Sequence, residues 1–166
     1  MTDAELAEYR QLILADVEAY GWFCVVVLGD DEAGSPPFAY SVGFTETLGC
    51  PEFLVFGLPD ELMFAMLEGV FLQIEGGRVP EDGARWGGLI EGFECVSRAV
   101  DPARLGSGLT DHADWFRRER GGDEPAPVHQ LVWPGADDGL FPWDEGCELD
   151  VVLLQPPMYA PPETAH

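Results

Sequence analysis

The chain of 166 residues sets 31 acidic residues against 8 basic ones, for a formal charge of −23, and every base is an arginine. The absence of lysine removes Schiff-base chemistry, covalent pyridoxal phosphate attachment and a phosphate-loop lysine. The charge opposes contact with phosphate backbones, so no nucleic-acid partner is expected. With 46% hydrophobic residues, the composition is that of one globular domain able to bury a core without disulfides or a structural metal.

The bases are unevenly placed, with none between Arg10 and Arg78 and none after Arg120. Two readings of the acidity stand side by side. One is a functional acidic face for a positively charged partner; the other is a solvated surface set by host composition or salt adaptation. Cys24, Cys50, Cys95 and Cys147 stand singly, without zinc-ligand spacing, and are expected as small buried hydrophobes. Met1 to Leu6 lacks a basic leader and an apolar core, and the longest apolar run, Trp22 to Leu28, is far too short to span a bilayer. A cytoplasmic protein with no membrane contact is expected.

In chain order, Leu6, Tyr9, Ile13, Val17 and Tyr20 recur at helical spacing, predicting an amphipathic helix over 3–20. Thr2 with Glu5 forms a capping box at its start, and Gly21 ends it. Trp22 to Leu28 reads as a strand buried on both faces. The acidic Gly29 to Pro37 segment is a turn leading to a hairpin partner at Phe38 to Phe44, and Glu52 to Leu58 forms a third strand. Leu62, Met63, Met66, Leu67, Val70, Phe71 and Ile74 make the wide apolar stripe of a helix that starts at Pro59 and Asp60 and stops at Gly76-Gly77.

Gly87-Gly88 reads as a turn, Phe93 to Val100 as a strand, and 111–120 as a short helix capped by Thr110. Val128 to Trp133 is the last strand, followed by a loop through Trp143. The chain divides into a single domain over 1–155 and a proline-rich tail over 156–166, expected as an unpacked extension. Strands and helices are interspersed without βαβ alternation. The predicted class is α+β: a mixed, mainly antiparallel sheet of about five to six strands with two main helices and a short third.

Few residues carry chemistry. Ser41 lies mid-strand and outside a nucleophile elbow, so a hydrogen-bonded strand serine is expected. His112 and His129 are the available general bases, since His166 is the last residue, and neither has a second histidine at zinc spacing. Asp137-Asp138-Gly139 lacks the ligand pattern of a calcium loop and reads as a turn. No metal or cofactor is expected. Tyr40, Trp133, Pro134, Phe141, Pro142 and Trp143 frame the polar residues, as a C-terminal flap on the sheet or as a pocket wall.

Three fragments then combine: Phe38-Ala39-Tyr40-Ser41-Val42-Gly43-Phe44; Gly49-Cys50-Pro51-Glu52-Phe53-Leu54-Val55; and Gln130-Leu131-Val132-Trp133-Pro134 with Gly139-Leu140-Phe141-Pro142-Trp143. Together they resemble a bacterial family, domain of unknown function 4262, over roughly residues 20 to 145. The likeness extends to Gly21-Trp22, Pro51-Glu52 and Pro142-Trp143, and it implies organisation rather than a reaction. The resemblance departs at one point: relatives usually carry a histidine before the Pro-Glu pair where this chain has Cys50, so an activity resting on that histidine is not implied here.

The leading expectation is a non-catalytic, acidic interaction module for a basic protein partner, of the kind found beside bacterial toxins, with no residue assigned to catalysis. The alternative is a small hydrolase with Glu52 or His129 as general base in a polar-aromatic pocket beside Tyr40. Both readings draw on the same candidate binding residues: Tyr40, Ser41, Glu52, His129, Gln130, Trp133 and Trp143.

Overall fold

A computed structural model describes residues 2–106 and 108–160. Its frame is one six-stranded sheet in the order β1-β2-β3-β6-β5-β4. The strands are β1 (Phe23–Val27), β2 (Phe38–Val42), β3 (Glu52–Phe56), β4 (Arg85–Ile90), β5 (Phe93–Ala99) and β6 (Val128–Val132). All neighbours pair antiparallel except β3 with β6, which run parallel. The α+β class and the mixed, mainly antiparallel sheet follow the sequence expectation.

Helices cover both faces. On one face, α3 (Asp60–Glu75) presses Met63, Met66, Leu67, Val70, Phe71 and Ile74 onto Ala39, Phe53, Val55 and Leu131. On the other, Ile13 and Val17 of α1 (Asp3–Tyr20) join Ala113 and Phe116 of α5 (Asp111–Glu119) over Val25, Tyr40, Val42, Leu54 and Phe56. The side chains of β2 and β3 thus alternate between two cores, as the two-residue repeat of a strand requires. The capping box at Thr2 and Glu5 is formed in both directions. Gly21 ends α1 with φ 91°, a left-handed backbone that glycine alone adopts without a Cβ penalty.

Several expectations are corrected. The run Trp22 to Leu28 is not a doubly buried strand: β1 lies at the sheet edge, with Val26 38% and Leu28 78% exposed. The strands buried throughout are β2, β3 and β6. A continuous apolar run does not by itself separate a central strand from an edge strand whose outer side faces an apolar cleft. Gly87-Gly88 is not a connecting turn but lies inside β4, where the pairing with β5 shifts register between Trp86 and Ile90 and Gly88 takes φ 79°. Glycine within a strand marks such a bulge. Thr110 precedes α5 but gives it no side-chain cap. Tyr20, placed on the core face of α1 by its spacing, is 71% exposed.

Three short helices have no periodic signal long enough to predict: α2 (Phe44–Leu48), α4 (Pro102–Leu105) and α6 (Leu149–Leu153). The tail from Pro156 is not an unpacked extension over Pro156–Ala160. The Gln130 side chain donates to the Pro156 carbonyl at 3.1 Å and accepts from the Met158 amide at 2.9 Å, and Tyr159 is buried against β5 and β6. Residues 161–166, with His166, lie outside the described residues. Among the described residues, no helix is long and apolar enough to cross a membrane.

Candidate functional site

Ser41 and Glu52 meet where β2 leaves the sheet and β3 enters it. Ser41 Oγ donates to Glu52 Oε1 at 2.8 Å and accepts the Phe53 amide at 2.9 Å, so the hydroxyl serves both strands. Gly43, with φ 101°, offers no side chain to the N-terminus of α2. Glu52 replaces the missing cap from across the sheet. Its Oε1 also accepts the Phe44 amide at 3.0 Å, and its Oε2 accepts the Thr45 amide and hydroxyl, each at 2.8 Å.

Four donors fill the four acceptor positions of a carboxylate. Burial nonetheless dominates: with Glu52 only 1% exposed, desolvation lifts its pKa to about 7 against the pull of those hydrogen bonds. The arrangement locks β2, α2 and β3 together. It also holds a carboxyl that titrates near neutrality.

The other candidates point elsewhere. Tyr40, one residue from Ser41, projects to the opposite face, and its hydroxyl accepts the His112 amide at 3.2 Å. His129 stands in register with Phe53 while Glu52 pairs with Val128. The His129 ring packs 5.6 Å from Phe53, and its buried Nδ1 finds no partner among the described residues. Burial lowers its pKa, with Asp82 working in the other direction. Gln130 clasps the tail. Trp133 donates its indole N–H to the Phe56 carbonyl at 2.8 Å and its amide to Gln155 at 2.9 Å.

Trp143 stacks on Phe141 with ring centres 5.1 Å apart. It borders a hollow of about 190 Å³ with Arg104 and Tyr159. The structure therefore brings Ser41 to Glu52 and distributes Tyr40, His129, Gln130, Trp133 and Trp143 among separate tasks.

A larger concavity lies at the outer edge of β1, which among the described residues pairs with β2 alone. A cleft of about 480 Å³ is walled by Asp16 and Tyr20 of α1, by Trp22, Phe23, Cys24 and Val26, and by Phe64, Glu68, Phe71 and Leu72 of α3. Trp22 forms its floor, stacked on Phe64 at 5.4 Å and on Phe71 at 6.2 Å. Burial, reinforced by the Asp60 carboxylate, pushes the Cys24 thiol up to about 12, so it lines the cleft as an apolar group rather than as a thiolate.

Four large hydrophobics here are unusually exposed: Tyr20 at 71%, Val26 at 38%, Phe64 at 44% and Leu72 at 56%. The only titratable groups among the wall residues besides Cys24 and Tyr20 are the acids Asp16 and Glu68. None of the seven residues selected from the sequence lines this cleft. A signal for it does exist: Phe64, Glu68 and Leu72 recur at four-residue steps on α3, beside the core-facing stripe that holds Phe71.

The fold and the cleft at β1 define an α+β domain built on a mixed sheet, with an apolar, acid-rimmed hollow beside its outermost described strand. The model of the family described as "Domain of unknown function (DUF4262)" matches residues 16–148, and the chain belongs to that family. No curated protein and no solved structure matches the chain.

Proposed function

We propose that the protein is a non-catalytic binding module of the cytoplasm that holds a positively charged protein partner. The observation that carries this reading is the cleft at β1, which offers exposed apolar surface and carboxylates without a compensating base. Apolar contact supplies affinity at such a surface, while complementary charge supplies on-rate and selectivity. The net charge of −23 extends the attraction for a cation beyond the cleft itself. The polar candidates also support the reading, because Ser41, Gln130 and Trp133 have their hydrogen-bonding groups engaged inside the fold.

The test compares purified basic and acidic proteins of matched size by stopped-flow association. The expected result is selective binding of basic proteins, with an association rate that falls at least about tenfold between low and physiological salt. Equal binding of both charge classes, or no salt dependence, overturns the reading. Turnover of an ester, amide or phosphoester that is lost in both Glu52→Gln and His129→Ala would instead establish the hydrolase alternative.

A further inference from the structure

We propose that the free edge of β1 accepts an extended segment of the basic partner as a seventh strand. Its apolar side chains would lie against Phe64 and Leu72 of α3, and its arginine or lysine side chains, on the other face of the added strand, would reach Asp16 of α1. The inference rests on the binding-module reading and adds to it a site, a backbone geometry and a sequence character for the ligand.

The two edges of the sheet are treated differently. At the β4 edge the pairing is broken by a register shift, and the strand contains Gly87, Gly88 and the charged Arg85. Bulges and charges of this kind are how folds discourage strand addition. At the β1 edge the sequence is Phe23-Cys24-Val25-Val26-Val27, with no proline and no charge, and its pairing with β2 is continuous over all five residues. A regular, apolar, β-branched edge is a template for another strand.

The space beside it is already shaped. Asp16 and Tyr20 come from the helix on one sheet face, and Phe64, Glu68 and Leu72 from the helix on the other. A strand added to β1 would therefore lie between two walls rather than on a bare rim. Backbone hydrogen bonds would hold it, and the side chains alternating along it would meet both walls. Past the end of β1, Asp30, Asp31 and Glu32 add further carboxylates at the hairpin turn.

Charge identifies the occupant. A second copy of this chain would set Asp16 and Glu68 against another acidic surface carrying −23, whereas a segment alternating apolar and basic residues satisfies both features of the cleft.

The probes are seven-residue peptides alternating arginine with valine, leucine or phenylalanine, their glutamate counterparts, and versions N-methylated at alternate positions along one backbone edge or the other. The arginine peptides are expected to bind, and the glutamate ones to bind at least about tenfold more weakly. N-methylation of one edge should abolish binding while methylation of the other leaves it intact, because only one edge faces β1. Amide exchange at alternate β1 residues should slow in the complex. Phe64→Lys and Leu72→Lys, both at exposed positions, should weaken binding at least about tenfold without loss of fold.

Binding of the arginine peptides that ignores both N-methylation patterns and both substitutions overturns the seventh strand while leaving a charge-selective binding module intact. Failure of all the arginine peptides, in a protein that still binds basic proteins in the stopped-flow comparison, likewise overturns this inference alone. Sedimentation showing a dimer that Leu72→Lys dissociates would assign the edge to a second copy and overturn the proposed occupant.

Discussion

Ser41 and Glu52 share one hydrogen bond of 2.8 Å that ties the end of β2 to the start of β3. Removing the hydroxyl in Ser41→Ala strips a donor from a buried carboxylate and leaves the Phe53 amide without its acceptor. The expected cost is about 2 to 4 kcal/mol of unfolding free energy by urea titration, because both the lost bond and the orphaned group count. A cost near zero would show that water or a backbone shift replaces the hydroxyl.

Glu52 also makes stability depend on pH. Its folded pKa of about 7 lies above the ordinary glutamate value of 4.5, so the folded state holds the proton more tightly than the unfolded chain does. The resulting stabilisation is fully present below the unfolded pKa and is lost as pH rises through 4.5 towards 7. Two to three pKa units correspond to about 3 kcal/mol. The Glu52 share of the stability should therefore decline between weakly acidic and neutral pH, and Glu52→Gln should remove that component of the pH dependence. An unchanged slope in the variant would place the titration on other carboxylates.

His129 has the opposite sign. Burial lowers its folded pKa below the unfolded value of 6.5, so the stability tied to its neutral form is present above 6.5 and lost as pH falls through the folded value. Substituting His129→Phe keeps an aromatic ring against Phe53 while removing the titration. The variant should resist acid unfolding better than the wild type, and a midpoint of acid unfolding that does not move would disprove the assignment.

Much of this architecture was legible because long periodic segments report their own burial. The stripe from Leu62 to Ile74 on α3 and the cap residues Thr2, Glu5 and Gly21 on α1 each carry a local physical reason for the structure they form. Three other features depend on partners far along the chain. The apolar run Phe23 to Val27 does not say which strands flank it, so its edge position was hidden. Glu52 caps α2 from another strand, a task that no local motif announces. Gln130 and Met158 meet across 28 residues, which is why the start of the tail read as unpacked.

The candidate binding residues do not converge for a related reason. Polar groups in the family-like fragments are engaged inside the fold, Trp133 by Phe56 and Gln155, and Gln130 by Pro156 and Met158. Phe64 and Leu72 are apolar residues on a helix, and what sets them apart is an exposure that depends on the packing of the whole fold.

Gly21 provides a test of how the wall of the cleft is held. Its φ of 91° is strained for any residue with a Cβ, and a Cβ built there would lie 2.8 Å from Phe71 Cζ and 3.2 Å from Thr47 Cγ2. The crowding carries a second effect, because Phe71 supports Trp22 on the cleft floor. Gly21→Ala should therefore cost about 1 to 3 kcal/mol and also disturb the stacking of Trp22. The near-ultraviolet circular dichroism of the variant should differ from the wild type under conditions where both are folded. A stability loss with an unaltered aromatic spectrum would confine the effect to the α1 terminus and separate it from the cleft.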